Sequence, residues 1–206
     1  MVTFVAPSFT EEFDPYVFIG SMLCQKNNNW KAIIYNNGPN PWLRKVITEA
    51  ETPKYRYDPW LKSLIKSYND ERLIYRESPT NTGGWGCHNR NDAIYNIVDT
   101  EYIVQTSIQD YWLPNAVEAI LQHAGADFIY WNSINHLAGY QNILNSMPVV
   151  RYIDWGNFAI KTAIARKVGI QHPESFTADG QFVQDCIAEG LIINPVKINQ
   201  ILTIHN

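Results

Sequence analysis

Between Val2 and His123, short apolar runs rich in β-branched residues alternate four times with segments of helical periodicity, and no other feature restricts the fold of this chain as strongly. Val2 to Ala6 closes at Pro7, and apolar positions then recur at helical spacing from Tyr16 to Leu23. Lys31 to Tyr35 reads as a second strand ended by Asn36-Asn37-Gly38-Pro39, followed by a helix over Pro59 to Tyr68 with Asp58 placed to cap it. Arg72 to Tyr75 predicts a third strand and Cys87 to Val98 a third helix. Tyr102 to Thr106 predicts a fourth strand, and Pro114 to His123 a helix that begins at its proline. Such alternation implies an α/β fold, with a mostly parallel sheet covered by helices on both faces.

Beyond Asp127 the pattern loosens. Strands are expected over Asp127 to Trp131, Val149 to Ile153 and Ile198 to Ile204, with helices near Lys161 to Val168 and Asp179 to Glu189. With 206 residues, 46% of them hydrophobic, the chain supports one sizeable core and therefore one domain. A net charge of -4 and the lack of any Lys/Arg cluster argue against a nucleic-acid partner. Cys24, Cys87 and Cys186 are far apart and form no C-x-x-C pair, so they are expected as free thiols rather than a disulfide framework or a structural zinc site. The first residues lack the pattern of a signal peptide, and no apolar run reaches the roughly 20 residues that span a bilayer, so a cytoplasmic location is expected.

In open α/β sheets ligands sit beyond the carboxyl ends of the strands. The polar segments expected there are Pro7-Ser8-Phe9-Thr10, Asn36-Asn37, Ser107-Ile108-Gln109-Asp110 and Asp154-Trp155-Gly156. In this order they resemble the donor-site segments of the family-2 glycosyltransferases, which have the GT-A fold, a Rossmann-like arrangement that binds nucleotide-sugars. The likeness extends over nearly the whole chain, and order and spacing carry it.

Ala6-Pro7-Ser8-Phe9 and Ser21-Met22-Leu23-Cys24-Gln25 resemble the family's opening strand and Ser-Leu-x-x-Gln helix. Asn36-Asn37-Gly38-Pro39 stands where the family has Asp-Asp-Gly-Ser, so the resemblance makes Asn36 and Asn37 contacts to the nucleobase and ribose. Gly86-Cys87-His88-Asn89-Arg90-Asn91 resembles the segment whose arginine faces the diphosphate, which points to Arg90. Ser107-Ile108-Gln109-Asp110-Tyr111-Trp112-Leu113-Pro114 resembles the metal motif Asp-x-Asp-Asp-x-Trp-x-Pro. Only one acid of that motif remains: the usual ligating carboxylate falls on Gln109, and Asp110 is its neighbour.

Asp154-Trp155-Gly156-Asn157-Phe158 looks like the glycine loop beside the donor sugar, with Gly156 its central residue. Thr177-Ala178-Asp179-Gly180 falls where the family keeps its base, and Thr203-Ile204-His205-Asn206 resembles the C-terminal segment whose histidine reaches the metal. The resemblance therefore implies a hexosyl- or deoxyhexosyltransferase. It would take a nucleotide-diphosphate donor, UDP-sugar by family frequency, to a glycan or other hydroxyl acceptor. Asp110 and His205 would hold Mn²⁺ or Mg²⁺, with Asp154 in support. Asp179 would act as general base in an inverting displacement, and Pro7, Ser8, Phe9, Ser107 and Gln109 would line the donor site. Residues 1–113 would form the nucleotide-sugar half and 114–206 the acceptor half, with the ending just after His205 that a module trimmed from a longer polypeptide would show.

Each segment also has a plain structural reading. Asp110 before Pro114, and Asp179 at the head of a helix, are both positions where an aspartate stabilises a helix N-terminus. Arg90 can pair with Asp92 or Asp99, Asn36-Asn37 before Gly-Pro suits any turn, and His136 suits a solvated loop. Trp85, Trp112, Trp131, Trp155 and Tyr140 can pack against sugars, yet Trp85 and Trp112 suit a core equally well. A catalytically inactive nucleotide-sugar or glycan binding module is the main alternative. A nucleotidyltransferase is disfavoured because Ser8-Phe9-Thr10-Glu11-Glu12 is not a glycine-rich basic loop, and an oxidoreductase because no G-x-G-x-x-G follows the first strand.

Overall fold

A computed structural model describes residues 1–8, 15–37, 57–78, 86–135 and 142–205. The alternation is realised as β1 (Val2–Ser8), α1 (Pro15–Leu23), β2 (Trp30–Asn36), α2 (Tyr57–Ser67), β3 (Leu73–Glu77), α3 (Cys87–Asp92) and β4 (Tyr102–Gln105). It continues with β5 (Tyr111–Trp112), α4 (Ala116–Leu121), β6 (Phe128–Asn135), β7 (Ile143–Leu144), β8 (Phe158–Lys161), α5 (Thr162–Val168), α6 (Ala178–Ala188) and β9 (Pro195–His205).

Among the described residues these strands form one sheet in the order β3-β2-β1-β4-β8-β6-β9-β5, with β7 on the edge of β6. The first four are parallel to their neighbours; β8 then runs antiparallel between β4 and β6, and β9 runs parallel to β6. β1 to β4, β6 and β9 thus share one direction. The two-residue period of each strand sends alternate side chains into separate cores. Phe4, Ala6, Ile34 and Val104 face Phe18, Met22, Leu61 and Ile120 from α1, α2 and α4. Val5, Ile33, Ile103 and Ile160 face Ile94, Ala165, Phe182 and Cys186 on the α3, α5 and α6 side. Both faces are covered, as the near-continuous apolar strands require.

Four expectations change. Val149–Ile153 is not a strand but an irregular turn, and the strand lies later, at β8, after a 3₁₀ turn over Trp155–Asn157. Asp154-Trp155-Gly156 therefore precedes a strand instead of following one. The helix expected over 87–98 is α-helical only to Asp92 and continues as a π-helical turn, Ala93–Ile97, in which Val98 N bonds Ala93 O at 2.9 Å. The α4 helix starts at Ala116, because Pro114 sits in the loop clamped to β9 by the Leu113 N to Leu202 O bond of 3.0 Å. α2 starts at Tyr57, so Asp58 lies inside its first turn and not before it. The three cysteines are free, Cys87 and Cys186 buried and Cys24 exposed. Among the described residues no helix is long and apolar enough to cross a membrane.

Candidate active site

The strand order reverses between β1 and β4, the kind of switch point beyond whose carboxyl ends open α/β sheets form their ligand crevice. Arg90 joins the two strands there. Gly86, at φ 77, turns the chain into α3. From that helix the Arg90 Nη1 donates to Gln105 Oε1 at 3.2 Å and to Val5 O at 3.4 Å, while the guanidinium lies 5.0 Å from the centre of the Trp155 ring. Arg90 is only 4% exposed, its Nε has no partner among the described residues, and burial lowers its pKa to about 10 although Cys87, Asp110, Asp154 and Asp179 act in the opposite sense. It is not the surface ion-pair partner of Asp92 or Asp99. Asp92 accepts from Tyr35 and Asn96, and Asp99 pairs with Lys31.

Asp110 is held by a turn at the end of β4. Its Oδ2 accepts from Thr106 Oγ1 at 2.5 Å and from Ser107 N at 2.8 Å, and the Trp112 indole donates to the same threonine oxygen at 3.2 Å. Its Oδ1 faces His205 Nδ1 at 2.6 Å. That histidine is delivered by β9, whose antiparallel pairing places Tyr111 opposite Ile204 and Trp112 opposite Thr203. Burial works against charge on His205, but the hydrogen bond and negative charge of Asp110, with Asp154 behind, outweigh it and raise its pKa to about 9. At neutral pH the two form a nearly buried ion pair. Asp110 is therefore tied to its own turn and to β9; it does not cap α4, whose N-cap is Asn115.

Gly156 packs directly against this pair: a Cβ there would lie 3.3 Å from Asp110 Oδ2 and 3.4 Å from Thr203 Cγ2. Its carbonyl accepts from Trp131 Nε1 at 2.9 Å and from Thr203 Oγ1 at 2.8 Å. Asp154 beside it accepts from Trp155 N at 2.6 Å. Burial raises the Asp154 pKa and Asp110 adds to the rise, against His205 and Arg90. Asp179 sits in the first turn of α6, after the N-cap Thr177, and accepts from Gly180 N at 2.7 Å. Burial, and then the charge of Asp154, push its pKa up to about 7. Three carboxylates, one guanidinium and one imidazolium thus share one electrostatic neighbourhood.

The remaining expected residues fall around the same crevice. Pro7 and Ser8 end β1 opposite Tyr35 and Asn36 and are buried. Asn36 donates to Tyr75 Oη at 3.1 Å, Tyr75 donates on to Glu77 at 3.0 Å, and Asn37 accepts from Asn89 at 2.8 Å. Ser107 and Gln109 are partly buried, with the Gln109 Oε1 lacking a partner among the described residues. Trp112 and Trp131 are fully buried core residues, not sugar platforms. Phe9, Thr10, Gly38, Pro39, Trp85, His136, Tyr140 and Asn206 lie outside the described residues. Thr106 and Gln105, which orient Asp110 and Arg90, carried no motif of their own; their position at the end of β4 was the only signal.

Among the described residues no group of three or more His, Cys, Asp and Glu is placed to hold a metal ion. For Asp110 and His205 to serve a divalent cation, His205 would have to lose its proton and the contact between them would have to open, leaving one oxygen and one nitrogen donor that diphosphate oxygens and water could complete.

No protein-family model matches the sequence, and no curated protein matches it. The fold does have solved counterparts. Residues 1–349 of S. aureus TarS superpose with a TM-score of 0.75 at 12% identity, covering 100% of this chain and 60% of that one. The same protein in complex with UDP-GlcNAc gives 0.71 at 13% identity, with 98% and 57% covered. The mannosyltransferase PcManGT from Pyrobaculum calidifontis, in complex with GDP-Man and Mn²⁺, gives 0.69 at 13% identity, with 99% and 56% covered. The chain spans 36% of the longer TarS structure and about three-fifths of the others. The fold is the GT-A type expected from the sequence.

Proposed function

We propose that this chain carries the donor and catalytic site of a glycosyltransferase that moves a sugar from a nucleotide-diphosphate, UDP-sugar by preference, to an acceptor hydroxyl with inversion. The observation that carries this reading is the convergence of Asp110, His205, Arg90, Asp154 and Asp179 into one electrostatic neighbourhood at the switch point of a GT-A sheet, with Asp110 and His205, 95 residues apart, in direct contact. Donors bound by the fold's solved counterparts, UDP-GlcNAc in one and GDP-Man with Mn²⁺ in another, support it.

In this reading the nucleoside lies over Pro7, Ser8, Phe9, Asn36 and Asn37, and the diphosphate over Arg90, Ser107 and Gln109. Residues 1–113 serve mainly the donor and 114–206 the acceptor. Asp110 and a deprotonated His205 would hold Mn²⁺ or Mg²⁺, which when bound would neutralise charge building on the departing diphosphate. Asp179 takes the proton of the acceptor hydroxyl. The acceptor oxygen then bonds to the anomeric carbon, the bond from that carbon to the diphosphate breaks, and the diphosphate leaves with the electron pair. One base opposite one leaving group gives inversion. A pKa near 7 matches the base to neutral conditions.

A thermal-shift titration with UDP, GDP and CMP, each with and without Mn²⁺, tests the reading on the wild type and on Asp110→Ala. A ligand at 100 times its dissociation constant adds about 2.7 kcal/mol. Stabilisation by one nucleotide only with metal, lost in Asp110→Ala, is the expected result. No stabilisation under any condition would reject the donor site.

A further inference from the structure

We infer that Arg151 is a specificity-determining residue for the acceptor, and that it selects acceptors bearing a phosphate or carboxylate; this rests on the glycosyltransferase reading above. Among the described residues only Asn69 and Arg151 combine a side chain with positive φ, and Arg151, at φ 72, is the one on the acceptor side. Asn69 follows the C-terminus of α2, where asparagine adopts this conformation readily. Arginine does not, so its left-handed backbone stores strain at a position that glycine would occupy freely.

The turn that imposes this conformation is fastened to the helix carrying the proposed base. Tyr152 N bonds Val149 O at 3.0 Å and Met147 N bonds Tyr152 O at 2.9 Å, which closes the turn, and Gln184 from α6 donates to Pro148 O at 2.6 Å. At its tip the turn rests on Gly180, where a Cβ would come within 2.6 Å of Val150 Cα and 3.4 Å of Arg151 N. The Arg151 backbone thereby packs against Gly180, the residue that follows Asp179 in the first turn of α6.

Its side chain is exposed and, among the described residues, makes no hydrogen bond or ion pair. Beside it Tyr152 and Val149 are also exposed, a surface on which a sugar ring can lie. The N-terminus of α6, eleven residues long, adds a favourable field for an anion at this point. A hydroxyl placed at Asp179 on a sugar bearing an anionic group would bring that group within the span of an arginine side chain. A guanidinium fork is shaped for phosphate and carboxylate alike.

The test uses the protein with its UDP-sugar donor and three acceptor probes: methyl glucoside, glucose 6-phosphate and glucuronate. The wild type should favour one charged probe over the uncharged one, and which of the two it favours separates phosphate from carboxylate recognition. In Arg151→Gly the ratio of kcat/KM for charged over uncharged probe should fall about tenfold to a hundredfold, the worth of one charge-assisted pair. Arg151→Lys should keep part of the preference. A purely structural role predicts the reverse for Arg151→Gly: relief of backbone strain, a Tm unchanged or about 2 to 4 °C higher, and no change in that ratio. Equal use of charged and uncharged probes by the wild type, or a preference that survives in Arg151→Gly, overturns the inference alone. Failure of any UDP-sugar to be turned over, with or without acceptor, overturns the glycosyltransferase reading and this inference together.

Discussion

His205 Nδ1 and Asp110 Oδ1 lie 2.6 Å apart, joining the end of the last strand to the turn after β4 across 95 residues of sequence. Asp110 is 1% exposed and its other oxygen is already engaged by Thr106 and Ser107. The pair therefore fixes β9 against the turn after β4.

Replacing Asp110 with Asn leaves the imidazolium of His205 without its counter-charge. Stability should fall by about 1.5 to 3 kcal/mol, the range for a charge-assisted hydrogen bond. The His205 pKa should drop from about 9, because its main support against burial is gone. Chemical denaturation and NMR titration of the histidine signals measure these; an unchanged histidine titration would show that the ion pair does not form in solution.

Activity should titrate with Asp179. With a pKa of about 7, the base is ready above that value and protonated below it, so kcat/KM should rise through neutrality and level off on the alkaline side. Asp179→Asn should lower kcat by about 10² to 10⁴ while nucleotide still stabilises the protein. The linked stability effect has the opposite slope. The folded state holds this proton between roughly pH 4 and 7 and the unfolded chain does not, so this group's contribution to stability is complete at low pH and is lost as pH rises through about 7. Denaturation midpoints across that range should flatten in Asp179→Asn.

Gly180→Ala adds a methyl 2.6 Å from Val150 Cα, and the obstacle is backbone, so the turn or α6 must move. A loss of about 1 to 3 kcal/mol is expected from overpacking of this kind. The acceptor KM should rise more than the donor KM, because the displaced turn borders Asp179 and not the nucleotide crevice. Steady-state kinetics with each substrate varied in turn provides the comparison.

Gln25 is buried and bonded at both ends of its amide. Its Nε2 donates to Leu113 O at 2.8 Å and Ser21 O at 3.1 Å, and its Oε1 accepts from Val117 N at 3.1 Å. It pins the loop after β5 to α1 and α4. Gln25→Leu strands these groups and should cost about 1 to 3 kcal/mol, read by urea denaturation. A loss below the error of that measurement would mean the loop is held by other contacts.

The parallel part of the fold was legible because β1, β2 and β4 are buried on both faces and each crossover helix carries its own periodicity. β5 and β7 were not: two residues have no period, and their place comes from pairing with β9 and β6. The run Val149 to Ile153 misled because its apolar character belongs to a turn that packs Val150 against Gly180 and buries Ile153. For the site, Asp110, Asp179 and His205 could be named from motif order, but their meeting depends on the sheet. The Thr106 hydroxyl that orients Asp110 is indistinguishable in sequence from any threonine at a strand end. Arg90 could be named as well, though not its burial beside Gln105 and Trp155.

β9 reaches His205 only after pairing along the whole of β6 with register shifts at Asn132, and then with β5. A slip of one residue in that ladder would turn the imidazole to the opposite face of the sheet. The crevice is therefore completed only once β9 has closed on both β6 and β5, and partly folded chains cannot hold its two halves together. On the glycosyltransferase reading, turnover would count correctly closed sheets molecule by molecule and so gauge refolding yield more strictly than helix content or compactness.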